Sequence, residues 1–335
     1  TLPRTRPRWE IFDNRPHRTD LATHLSVEPA PWLRIGGGIA FLSYSSNELF
    51  IRGDIDIARP EPASRLEHQL TGELFAIRYP QVGIQIQPIP ELDIGLVYRG
   101  EFALDNVLTA QVGLPNRTPD CSGVDEACLL LGQPIPGFFF IESQSVNAYV
   151  PHQLSLGASW QVIPELRISA EVTYLFWSAY ISPIGRLKAV LEVDLPPGLE
   201  GVLNIPPIPE SLPIPANFSD RIVPRIGVEV TPIHNDDFML RVRGGYFYEN
   251  SPVPPQTGPS NLVDTDRHAW SAGVGLRLLN LRPTLPGYLA FDAHFQYALL
   301  PSRTMIKTSP IDPIGDYSAW GHIFAFGITS EVVFE

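Results

Sequence analysis

Glu165-Leu-Arg-Ile-Ser-Ala-Glu-Val-Thr-Tyr-Leu-Phe-Trp177 puts Leu166, Ile168, Ala170, Val172, Tyr174 and Phe176 at even positions and Glu165, Arg167, Ser169, Glu171 and Thr173 at odd ones. Successive side chains of a strand point to opposite faces, so this segment is a strand with one apolar and one strongly polar side. Just upstream, across the turn signal Ile163-Pro164, the same phase is kept: Leu154, Leu156, Ala158, Trp160 and Val162 oppose Gln153, Ser155, Ser159 and Gln161. Two antiparallel strands of matched phase are therefore expected.

The pattern recurs along the chain. Leu92, Ile94, Leu96, Tyr98 and Phe102 oppose Glu91, Asp93, Arg99 and Glu101. Phe238, Leu240, Val242, Tyr246 and Tyr248 oppose Asp237, Arg241 and Arg243. Trp270, Val274, Leu276 and Leu278 oppose Ser271, Gly273, Gly275 and Arg277, and Leu289, Phe291, Phe295, Tyr297 and Leu299 oppose Asp292, His294 and Gln296. The expected class is all-β.

The connections narrow this to an antiparallel transmembrane β-barrel of 12–14 strands. Short turns at Ser45–Asn47, Pro88–Pro90, Ile163–Pro164 and Pro232–Asp236 alternate with long connections near 105–151, 178–220, 249–266 and 300–318, provided Leu70–Gln87 is one long strand. Short periplasmic turns and long extracellular loops give barrels this asymmetry. Strands of some 10–15 residues exceed the 5–6 usual in globular sheets. Aromatics such as Trp160, Tyr174, Trp177, Tyr246, Tyr297 and Trp320 gather toward strand ends, as interface girdles do. Residues 1–31, crowded with Arg4, Arg6, Arg8, Arg15 and Arg18, read as an Arg- and Pro-rich arm; residues 32–335 read as the barrel. A further strand around Trp9–Asn14 makes the strand number even. The last strand ends at Phe334, an aromatic of the kind that closes such barrels.

Composition excludes several functions. The chain has 335 residues and a formal net charge of −12, which argues against a nucleic-acid partner. It is 44% hydrophobic and 18% charged, yet contains no run of about 18 apolar residues that a membrane helix requires. It begins Thr1-Leu-Pro-Arg4, without an apolar leader or initiator Met, and reads as a processed or trimmed chain. Cys121 and Cys128 are the only cysteines. A disulfide between them in an oxidising compartment is favoured over a metal site, which needs further ligands. No phosphate loop, Cys-x-x-Cys pair or His-Glu-x-x-His occurs, so no enzyme activity, cofactor or metal is expected.

Several residues stand out as binding candidates. Leu129-Leu130-Leu131 and Phe138-Phe139-Phe140-Ile141 are apolar clusters within a long connection; they either form a ligand surface or pack the loop onto the rim. Arg167, Arg241, Arg243 and His294 share the polar, lumen-facing side. They either hold a ligand carboxylate or pair with neighbouring acids such as Glu171, Glu229 and Asp292. Tyr79-Pro80 interrupts the long strand. Because proline cannot donate to a ladder, this is either a lateral gap in the wall or a plain strand end.

Three ordered passages resemble the FadL family of outer-membrane transporters. They are Pro151-His-Gln-Leu-Ser-Leu-Gly-Ala-Ser-Trp160 with Pro164-Glu-Leu-Arg-Ile-Ser-Ala-Glu-Val-Thr-Tyr174; Pro224-Arg-Ile-Gly-Val-Glu-Val230 with Leu240-Arg-Val-Arg-Gly-Gly-Tyr-Phe-Tyr248 and Ser251-Pro-Val-Pro254; and Asp264-Thr-Asp-Arg-His268 with Asp292-Ala-His-Phe-Gln-Tyr297. The resemblance implies a 14-stranded barrel in the bacterial outer membrane, closed by an N-terminal hatch. It implies passive uptake of long-chain fatty acids or aromatic hydrocarbons that leave sideways into the membrane. The family's small-residue N-terminal motif is not found in residues 1–31. The rival expectations are a general diffusion porin, and a barrel that scaffolds a larger assembly and meets protein partners through the arm. Membrane lipid and a hydrophobic small molecule are the partners expected otherwise.

Overall fold

The computed structural model describes residues 19–54, 65–114, 137–181, 186–193, 207–210, 215–258, 260–279, 281, 287–309 and 314–334. Its strands are β1 (Thr19–Ala30), β2 (Leu33–Asp54), β3 (Arg65–Ile89), β4 (Leu92–Arg99), β5 (Phe102–Leu114), β6 (Gly137–Val150) and β7 (Gln153–Ile163). They continue with β8 (Leu166–Leu175), β9 (Leu187–Val193), β10 (Arg221–His234), β11 (Phe238–Glu249), β12 (Arg267–Leu278), β13 (Gly287–Met305) and β14 (Tyr317–Phe334). All fourteen lie in one sheet, antiparallel apart from a short parallel contact of β2 (50–54) with β5 (109–113). Among the described residues the sheet is not closed: β14 pairs with β13 alone and β1 with β2 alone.

The hairpin of β7 and β8 has the register that matched phases require, from Gln153 opposite Leu175 to Ile163 opposite Leu166. Its tight turn at Pro164-Glu165 is one of a row. Pro31-Trp32, Pro90-Glu91 and the loop at Asn235 turn at the same rim. Proline presets the turn backbone in three of these, and at the fourth the Asn235 side chain accepts from the backbone N–H groups of Asp237 and Phe238. Each turn is tied to its neighbour: Gln87, Gln161, Thr231 and Leu279 donate backbone N–H groups to Trp32, Glu91, Glu165 and Asp237. The long connections leave from the opposite rim.

Four expectations change. Ser45–Asn47 is not a turn but the middle of β2, paired with Leu74, Glu73 and Gly72 of β3, so these polar residues continue a ladder. Thr19–Ala30, inside the segment set apart as an arm, forms β1 and supplies a partner for the first half of β2. The connection near 105–151 contains β5 and β6, which prolong β4 and β7 beyond the breaks at Gly100-Glu101 and Pro151-His152. The connection near 178–220 contains β9, which extends this hairpin by pairing with β6. The expected strand at Trp9–Asn14 lies outside the described residues.

The sheet is inside-out relative to a soluble sandwich. Phe326, Ile328 and Leu25 are 85%, 79% and 77% exposed on the apolar face, whereas the most buried side chains include Ala40, Val223, Ala269 and Ala290 on the other. Water penalises so continuous an apolar surface; hydrocarbon does not. Among the described residues no helix is long and apolar enough to cross a membrane. The strands carry the apolar belt.

Candidate functional site

The register lines up the polar side chains in rows across the inner face. One row runs Gln161, Arg167, Glu229, Arg243, Gly273, His294 and Gly327 across β7, β8, β10, β11, β12, β13 and β14. The adjoining row nearer the turns holds Arg241, Gly275 and Asp292. Arg167, Arg241, Arg243 and His294 thus come together in a cavity of about 1100 Å³.

Most of the charge here is internally matched. Arg243 bridges Glu229 at 2.6 Å and Asp292 at 2.5 Å, and Arg225 meets Glu171 at 2.6 Å. Arg167 donates to Gln161 at 2.9 Å. Arg167 has no acid partner among the described residues, and Arg241 is the most loosely held of the acid-paired guanidinium groups of the cavity. It stands 4.0 Å from Glu229, and its buried Nε has no hydrogen-bond partner among the described residues. Glycine makes room for this lattice: a Cβ on Gly275 would meet Asp292 Oδ1 at 2.5 Å, and one on Gly327 would meet the His294 ring at 2.4 Å. Phe247 also faces inward, with the guanidinium groups of Arg225 and Arg267 at 5.6 and 5.4 Å from its ring. The sequence reading missed it because its neighbours Tyr246 and Tyr248 dominate the pattern.

At the loop rim, four rings from three segments gather. Tyr149 stacks on Tyr180 at 4.9 Å and meets Trp177 at 5.9 Å; Phe218 lies 5.1 Å from Tyr180 and 5.9 Å from Trp177. Asp220 anchors the group by accepting from Ser178 N and Tyr174 Oη at 2.8 Å each, and these donors hold its carboxyl below the usual range despite burial. The Trp177 indole N–H is buried without a hydrogen-bond partner among the described residues. No local sequence signal joins residues 149, 177, 180 and 218; the long connections bring them together.

The loop between β11 and β12 is fastened to β13. Arg303 donates to Ser251 Oγ at 2.8 Å and to Val253 O at 2.6 Å, while Ser251 Oγ donates to Asp264 at 2.7 Å. Burial pushes Asp264 above its ordinary value of 3.8, outweighing the Ser251 and Thr265 donors. Burial acts the same way on Asp266, but Ser251 N and Tyr248 Oη overcome it and hold that carboxyl low. The signs therefore differ. Ionising Asp264 costs stability as pH rises above 3.8, whereas Asp266 contributes stability that is lost as pH falls below 3.8. At neutral pH, Asp264→Asn should keep or raise hydrogen-exchange protection over 250–266, and Asp266→Asn should lower it. The reverse order would show the assignment to be wrong.

Tyr79-Pro80 marks the end of a ladder. On one flank β3 pairs with β2 without a break, Tyr79 opposite Ala40 and Pro80 opposite Ile39. On the other flank pairing with β4 stops at Gln81 opposite Arg99. Pro80 O still accepts from Gly100 N at 2.8 Å, but Pro80 has no N–H to return. Its ring occupies the space that a Gly100 Cβ would need, 2.6 Å away. Beyond it β4 gives way to β5, and Tyr79 packs against Phe102 with ring centroids 5.6 Å apart.

Phe138, Phe139 and Phe140 sit in β6 rather than in a loop, with Phe139 opposite Val112 and Leu191. The side chains of Phe139 and Phe140 are half-buried. Leu130, Cys121 and Cys128 lie outside the described residues.

Comparison with solved structures gives a consistent result. A FadL homologue of Pseudomonas aeruginosa matches 93% of this chain with a TM-score of 0.51 at 14% identity. The CymD monoaromatic hydrocarbon channel matches 95% with a TM-score of 0.52 at 12% identity. The fold is that of FadL-type channels. TodX, the toluene transporter of P. putida, adds a match over 95% of the chain with a TM-score of 0.50 at 12% identity. This chain spans 66%, 74% and 70% of those three proteins, so it represents about two thirds to three quarters of a FadL-type channel's length. Comparison with family models gives no match, and comparison with curated proteins gives none. The likeness is therefore one of fold.

Proposed function

We propose that this chain spans the bacterial outer membrane and passes small hydrophobic molecules, such as aromatic hydrocarbons or long-chain fatty acids, inward without a cofactor or chemical step. The observation that carries this is the one-sided end of the β3–β4 ladder at Pro80. It offers a route from the interior to the apolar outer face that a porin does not need. The ring cluster of Tyr149, Trp177, Tyr180 and Phe218 supports capture at the extracellular rim, since aromatic faces hold planar hydrocarbons. Phe139 and Phe140, half-buried farther along β6, are further candidates for ligand contact. Arg241 and Arg167, the two guanidinium groups of the cavity without a close acid partner, suit a ligand carboxylate, with Arg243 and His294 beside them. Protein partners, if the barrel has them, would meet the Arg- and Pro-rich arm within residues 1–31, and Cys121 and Cys128 would form a disulfide.

Proteoliposome uptake tests it. Vesicles holding the chain should accumulate labelled toluene or oleate faster than protein-free vesicles, with saturation. Equal rates from a demonstrably inserted barrel would remove the transporter reading.

A further inference from the structure

The outer face carries a repeated pair that the transport route does not use. Tyr98 Oη lies 2.8 Å from His152 Nδ1, Tyr246 Oη 2.8 Å from His268 Nδ1, and Tyr297 Oη 2.8 Å from His322 Nδ1. In each the rings stack, with centroids 5.8, 6.2 and 5.8 Å apart. All six residues share the apolar side of their strands, toward the loop rim.

The first pair shows how the proton is placed. Glu101 N also donates to His152 Nδ1, at 3.1 Å, so this nitrogen is an acceptor and the imidazole proton sits on Nε2. His152 Nε2 then faces the Glu101 carboxylate at 3.5 Å. In the other two pairs the tyrosine hydroxyl takes up the same side of the ring, and Nε2 has no partner among the described residues. With Nδ1 accepting from the tyrosine hydroxyl as in the first pair, Nε2 carries the imidazole proton and is the donor.

Register sets these two donors side by side. His268 and His322 lie in one row, on either side of Leu299, so they stand about 10 Å apart at the usual strand spacing. The row beneath contains Tyr246, Trp270, Tyr297 and Phe324. Farther toward the turn rim the outer face is largely apolar, with Val274, Phe295 and Phe326. Donors thus lie above aromatic rings, and the rings above hydrocarbon-like surface, as headgroups lie above acyl chains.

We propose that His268 and His322, each oriented by its tyrosine, bind the phosphate of a lipid headgroup in the outer leaflet. The inference rests on the membrane-barrel reading but not on transport. An N–H donor facing an anionic phosphate forms a charge-assisted bond stronger than one to a neutral ester or sugar, which gives the preference its sign. Trp320, whose ring meets His322 edge-on at 5.9 Å, walls the site on the loop side.

Native mass spectrometry of the barrel released from neutral detergent tests this. Phosphatidylglycerol should be retained over a chain-matched uncharged glycolipid by about tenfold, the worth of one to two such bonds. Tyr246→Phe with Tyr297→Phe keeps the rings and removes the orienting hydroxyls; it should erase most of the preference, as should His268→Gln with His322→Gln. Heat-modifiable mobility on gels checks that each variant is folded. No preference in the wild-type chain, or a preference unchanged in both folded double variants, overturns the proposal. Displacement of the lipid by inorganic phosphate would assign the donors to a free anion and overturn it as well. A chain that does not insert into vesicles overturns the barrel reading itself, a separate outcome.

Discussion

Joining Tyr79→Cys to Phe102→Cys with a short thiol-specific cross-linker should reduce hydrophobic uptake to the rate of protein-free vesicles. The native rings meet at 5.6 Å where β3 and β5 part, so the bridge closes the wall at the one flank of Pro80 where the ladder stops. Pairing with β2 on the other flank is continuous and is left untouched. A reducible linker allows reversal: uptake should return on reduction, which a damaged barrel would not do. Either single cysteine with the same reagent should keep most of the activity. If the bridged protein transports normally, molecules leave by another path and the gap is only a strand irregularity.

The second large effect concerns Arg243. Among the described residues it is the one guanidinium that holds two acids at once, Glu229 and Asp292, and its replacement by Met leaves both without their closest cation. Loss of a partner from a water-free pair costs 3–5 kcal/mol, but these side chains are 25–39% exposed and water screens them, so about 1–2 kcal/mol is expected. Urea unfolding of the barrel in vesicles, followed by tryptophan fluorescence, reads this directly. Adding Glu229→Gln and Asp292→Asn should recover most of the loss, because the neutral amides no longer need the charge. A triple variant as unstable as Arg243→Met alone would mean that packing of the guanidinium against its neighbours, rather than charge, is what was removed.

Strand phase was readable from residues because it is local. The even–odd split in Glu165–Trp177 and in its partners on β7, β10, β11, β12 and β13 is the split between outer and inner faces in the structure. Register was not readable, since it is a relation between strands. Thus Arg243 and Asp292 could be placed on one face, but their contact required β12 to bring Gly275 beside Asp292. The Tyr–His pairs were hidden for the same reason: nothing near Tyr297 in sequence points to His322. Ser45–Asn47 misled because polar residues in a strand that runs past the apolar belt look like a turn. The clusters at 138–141 misled in the opposite sense, having strand composition in a segment expected to be loop.

The central claim is that this barrel recognises hydrophobic molecules. Equilibrium binding of a fluorescent long-chain fatty acid to the purified, folded chain, with unlabelled oleate and toluene as competitors, tests it most directly. Saturable binding displaced by either competitor is expected, weakened when Trp177 and Phe218 are replaced by alanine. Binding that never saturates, or that no competitor displaces, would contradict the account and leave a polar pore or a scaffold as the better description of the lumen.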